Sequence, residues 1–276
     1  MPFTIEGRCA ALDYHSIVSG LRSLLQGVRQ NDDSILRKLD AMQTLYLQKW
    51  ASSYSLAETE ALRYHLRAVS YKFYLADLSL EQLWSLSQAT RDRLLEALQN
   101  SLDRLVVSDG ELLLICFALE GFLFQAKAFL DFYMLYVCLF LRTGYRGSMS
   151  RARFFNGLEK VRSGPFAGKA RAVEDYFRDK VFRPGDAKGF VPENWGTLLG
   201  SLRDKIAHRD RLRPSFDGSE KLLEKVLLDW PTLQGTTYER FCQDMQNGMF
   251  ALFTDVSPVL YELEWKAGPY RPDLWE

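Results

Sequence analysis

The stretch LRDKIAHRDR, Leu202 to Arg211, sets an arginine, a carboxylate and a histidine within two turns of any helix it forms. Arg203 offers a planar fork that can grip two oxygens of a phosphate-like anion at once. His208 offers an imidazole whose unperturbed pKa of about 6.5 suits proton transfer near neutrality. Asp204 lies four residues before His208, close enough on a helix for its carboxylate to orient the ring. Only three histidines occur in the chain, at positions 15, 65 and 208.

A helix has to position these groups. Trp195, Leu198, Leu199, Leu202 and Ile206 recur at spacings of three and four, which predicts an amphipathic helix with a buried stripe. At 100° per residue, Arg203 projects about 85° to one side of that stripe and His208 about 135° to the other. His208 is therefore not on the buried stripe. Gly196, Gly200, Arg203 and Ala207 form a second, mostly small face that a neighbouring helix could approach closely. Arg203 and His208 diverge by about 140°, so one helix cannot easily aim both at one phosphate. Two copies related by a twofold axis through the motif helix could, with Gly196 and Gly200 near the axis.

The rest of the chain reads as helical almost throughout. Capping boxes stand at Ser55 (SLAE), Ser79 (SLEQ), Ser108 (SDGE) and Thr236 (TTYE), each before a run with helical apolar spacing. Helices are predicted near 10–29, 32–52, 56–77, 80–106, 109–142, 150–163, 167–181, 194–211 and 237–265. Gly/Pro-rich loops separate several of them, and KVLLDWPTL has room for a short strand. The expected fold is all-α, a helical bundle, with a division near Val107 into residues 1–107 and 108–276. The helix at 109–142 is expected to be the longest and largely buried. Glu120, Lys127 and Asp131 fall on one narrow stripe of it, a polar seam that serves either as support for a site or as a structural Lys127–Asp131 pair. The three charges also argue against a membrane span, which needs roughly 20 apolar residues.

With 276 residues, 47% hydrophobic and 25% charged, the chain belongs to the globular class rather than the disordered one. Formal net charge is zero, but it is unevenly placed. From Arg142 to Arg213 there are 17 Lys plus Arg against 8 Asp plus Glu, and 18 against 27 elsewhere. A segment of net +9 is a plausible footprint for a polyanion, or else neutralises the acidic remainder by contact. The four cysteines are widely spaced, without a metal-ligand pattern, so no metal or other cofactor is expected. No signal-peptide pattern opens the sequence, which makes a reducing cytoplasm the expected compartment.

LRDKIAHR resembles the signature of the HEPN superfamily, the all-helical domains of many prokaryotic toxin and antiviral-defence proteins and of some RNA-processing factors. The signature is Arg, four to six residues, then His, often with a polar residue directly after the Arg. Arg203, Asp204 and His208 match those places, and the resemblance covers roughly residues 109–265. It implies metal-independent endoribonuclease activity, with Arg203 holding phosphate, His208 carrying the proton and Asp204 orienting it. It also implies RNA as substrate, a homodimer through the motif helix, and an antitoxin or defence-system protein as a further partner. Lys205, Arg209 and Arg211 are then candidate RNA contacts. Two other classes remain open: a catalytically silent HEPN-like module that binds RNA or nucleotide, and a helical protein-interaction scaffold.

Overall fold

The computed structural model describes residues 50–99, 109–184, 191–208 and 238–262. Every element among them is helical and no strand occurs, so the all-α expectation holds. The helix predicted at 10–29, most of that at 32–52, the capping boxes at Ser108 and Thr236, and the strand in KVLLDWPTL lie outside these residues.

Helix α1, Leu56–Gln99, has 44 residues, and α2, Asp109–Phe140, has 32. They run antiparallel: Tyr54 lies by Phe140, Phe73 by Phe129, and Lys72 donates to Gln125 at 2.9 Å. The α1 N-terminus is closed by the predicted capping box. The Ser55 N–H donates to Glu58 Oε2 at 2.8 Å, and the Glu58 N–H returns a bond to Ser55 Oγ at 3.3 Å. Leu62, Leu66, Val69, Phe73, Ala76, Leu80 and Leu83 then form a buried stripe at helical spacing.

The break expected at Ser79 does not occur, and α1 rather than α2 is the longest helix among the described residues. The SLEQ sequence mimics a capping box, but the apolar stripe runs straight through it. Ser79 Oγ instead donates to the Leu75 carbonyl at 2.8 Å, which satisfies the hydroxyl inside a continuous helix.

By length and composition α2 is apolar enough to cross a membrane over Leu113–Phe140. In the fold, the six consecutive residues Tyr133 to Cys138 are all buried, so protein surrounds this part of the helix on every side. Its N-terminal half is less covered than expected, with Leu113 70% and Phe117 72% exposed. At the other end, Arg142 takes a left-handed φ of 55° and folds back over the Tyr54 ring. It donates to the Ser53 carbonyl at 2.7 Å and to Glu58 at 3.2 Å, latching the hairpin end.

Helices α3 (Arg151–Lys160) and α4 (Ala167–Tyr176) follow, and α4 runs into a π-helical turn, Phe177–Val181. Helix α5 spans Trp195–His208, α6 spans Tyr238–Ala251, and a second π turn, Leu252–Val256, leads into α7, Ser257–Tyr261. One hydrophobic core joins all of these to α1 and α2. The division near Val107 thus falls between two helices that bury against each other. Distant parts of the chain close the core: the Trp50 indole donates to the Tyr261 carbonyl at 3.1 Å. Lys169 Nζ lies 3.7 Å from the centroid of the Trp50 ring and donates to the Leu260 carbonyl at 2.8 Å.

Candidate functional site

Helix α5 carries the motif, and its predicted stripe is the face that packs. Trp195, Leu198, Leu199 and Leu202 are buried, with Ile206 partly so. Two glycine contacts fix the N-terminal end of the helix. A Cβ on Gly248 of α6 would lie 2.7 Å from Trp195 Nε1, so only glycine leaves room for that indole. A Cβ on Gly196 would lie 2.7 Å from Val181 Cγ1 and 2.9 Å from Phe182 Cε1. This corrects the expectation that Gly196 lies near a twofold axis: its bare face is occupied by the π turn of its own chain. Gly200 differs, since among the described residues no atom lies within 4 Å of the position a Cβ would take.

Arg203 stands where α5 passes α2. Its side chain is 38% exposed, and its Cζ lies 5.7 Å from the centroid of the Phe124 ring. On the same face of α2, Lys127 Nζ contacts Asp131 Oδ1 at 2.5 Å. Asp131 titrates above the usual aspartate range because burial penalises its charge, while the Lys127 bond and the charges of Lys127 and Arg203 partly oppose this. The Lys127–Asp131 pair of the structural reading is thus made, and the Arg203 charge acts weakly on Asp131. Glu120 is half-buried, and no hydrogen bond joins it to this cluster among the described residues. Phe124 was not singled out in the sequence, although its place between Glu120 and Lys127 on the α2 repeat puts it on the same face.

Arg203 Nη1 donates to Asp204 Oδ1 at 3.0 Å, so this carboxylate engages the neighbouring arginine. Its predicted partner, His208, ends α5, and the His208 side chain lies outside the described residues, as do Arg209 and Arg211. Lys205 is exposed. Among the described residues no group of three or more His, Cys, Asp or Glu could hold a metal ion. Cys138 is buried, and desolvation pushes its thiol up to about 11 despite a bond from Thr143, which leaves it a poor nucleophile.

The arrangement offers a guanidinium on a helix surface, with the Phe124 ring beneath it and the exposed carboxylate of Asp204 bonded to it. It can bind an oxyanion at the junction of α2 and α5. No model of a known protein family matches the chain, and neither a curated protein nor a solved structure is significantly similar to it.

Proposed function

We propose that this chain is a metal-independent endoribonuclease of the HEPN type, a toxin or antiviral-defence effector that works as a homodimer through α5. The observation that carries this reading is the state of Arg203. Only one of its donors is engaged, on Asp204, and the others make no hydrogen bond among the described residues. An arginine held over Phe124 with donors to spare is ready to take two oxygens of a phosphodiester. In the reaction, a ribose 2′-oxygen forms a bond to phosphorus while the bond to the 5′-oxygen breaks. His208 removes the 2′ proton, and a proton is returned to the departing 5′-oxygen. Arg203 stabilises the negative charge that builds on the phosphoryl oxygens.

The test is expression of wild type beside His208→Ala in growing cells, with RNA integrity read on a gel. Wild type should degrade RNA and the variant should not. Cleavage by purified protein should survive EDTA. Equal cutting by both proteins, or cutting abolished by chelation, rejects the assignment. One observation favours a second reading. The Arg203–Asp204 bond partly occupies the phosphate clamp, as fits a silent RNA-binding module. Wild type that binds RNA and never cuts it supports that alternative.

A further inference from the structure

Between Arg142 and Pro184 the chain holds 11 Lys plus Arg against 4 Asp plus Glu. Several of these cations have duties within the fold. Arg142 latches the hairpin through Glu58, Lys169 bonds Leu260 and Glu262, and Arg153 bonds Ser148. Arg151 and Arg178 are placed differently. The Arg151 guanidinium lies 4.9 Å from the Phe182 ring centroid, Phe182 meets Phe155 edge-on at 6.1 Å, and the Arg178 guanidinium lies 4.3 Å from Phe155. The result is a row of cation, ring, ring and cation that joins the first turn of α3 to the π turn after α4.

The rings do not serve as stacking platforms for bases, since Phe182 is buried and Phe155 half-buried. They fix the arginines. Arg178 is further held by Glu174, which accepts from its Nε at 3.0 Å and its Nη2 at 2.8 Å. Arg162 shares that same buried carboxylate and also pairs with Glu159 at 3.7 Å, so this cluster holds Arg178 in place. Arg151 meets no carboxylate within salt-bridge distance among the described residues, and its Nη2 bonds only the Phe182 carbonyl, at 3.4 Å. Both arginines are exposed. Guanidiniums ordered in advance lose little freedom on binding, and their planar forks match phosphate oxygens.

We infer that the Arg151–Phe182–Phe155–Arg178 row is a binding surface for the sugar-phosphate backbone of single-stranded nucleic acid. A surface with a standing excess of positive charge suits a chain of repeated phosphates better than an isolated carboxylate of a protein partner. The row is anchored from the interior to the N-terminal end of the motif helix, because buried Gly196 of α5 packs directly on Val181 and Phe182. The choice of RNA over DNA rests on the proposed ribonuclease reading; the backbone contact does not.

The test is fluorescence anisotropy of full-length protein with labelled single-stranded RNA and DNA of one sequence, over a range of salt. A His208→Ala background prevents cleavage from confusing the readout. Arg151→Gln and Arg178→Gln should each weaken binding roughly tenfold and lower the salt slope by about 0.7, the loss of one phosphate contact. Arg151→Gln touches no carboxylate, so it keeps the test valid if Arg178→Gln harms folding, which circular dichroism will show. Unchanged affinity in a folded Arg151→Gln protein overturns the inference, as does binding insensitive to salt or preference for an acidic peptide of equal charge. Equal binding of RNA and DNA with the arginine effects intact supports this surface, and the ribonuclease reading then stands or falls on the separate cleavage test.

Discussion

Trp195 and Gly248 compete for one space: the atom that any other residue would add at position 248 would lie within 3 Å of the indole. This contact seats the motif helix α5 on α6. Gly248→Ala should therefore destabilise the fold by about 1 to 3 kcal/mol through overpacking, although alanine is the better helix former. Urea unfolding of the two proteins measures it. A variant as stable as wild type, or more so, places Trp195 elsewhere.

Arg203 lowers the pKa of Asp131, against the larger upward push of burial. Removing that charge in Arg203→Ala should move the Asp131 carboxyl titration, followed by NMR, to higher pH. The sign also reaches stability. Asp131 binds its proton more tightly folded than unfolded, so its contribution weakens as pH rises through its folded value, and the loss should steepen in the variant. An Asp131 titration indifferent to Arg203 would separate α5 from the polar seam.

Glu174 behaves in the opposite sense. Burial alone would raise its pKa, but hydrogen bonds and charge from Arg162 and Arg178 overcome this and lower it. The stability it gives is present above the ordinary carboxylate range and is lost as pH falls through its folded value. Glu174→Gln should cost about 1 to 3 kcal/mol at neutral pH. It should also flatten the acid limb of a thermal-melting profile, and an acid limb identical to wild type contradicts the pairing.

Gly200 and Gly196 separate assembly from folding. A Cβ at Gly200 meets no atom of the described residues within 4 Å, whereas at Gly196 it collides with Val181 and Phe182. On the proposed dimer through α5, Gly200→Leu should give a monomer in light scattering while the melting temperature holds. Gly196→Leu should lower the melting temperature. A Gly200→Leu protein that remains dimeric moves the interface away from this helix face.

The fold class and the buried face of α5 were legible because 3.6-residue periodicity reports burial directly. The stripe through Trp195, Leu198, Leu199 and Leu202 needed no tertiary information. Ser79 misled because four residues look alike at a helix start and inside a helix, where only the continuing stripe of Ala76, Leu80 and Leu83 distinguishes them. The role of Gly196 was hidden for another reason. A bare face shows that something approaches closely, but not whether the visitor comes from another chain or from Val181 of the same one.

The bond from Trp50 to the Tyr261 carbonyl spans 211 positions of sequence. Seen as an order of events, it means that the bundle closes late. The long hairpin can form as soon as α2 is made, and the motif helix is already synthesised by residue 208. Yet the glycine that admits Trp195 arrives only with α6, and the carbonyls that receive Trp50 and Lys169 only with α7. During vectorial synthesis the motif helix can therefore meet α2 while the α6 side of its apolar stripe, around Trp195, is still uncovered and liable to aggregate or to be captured by a chaperone. Any chain broken off before Gly248 holds every motif residue but lacks the α6 surface that receives Trp195.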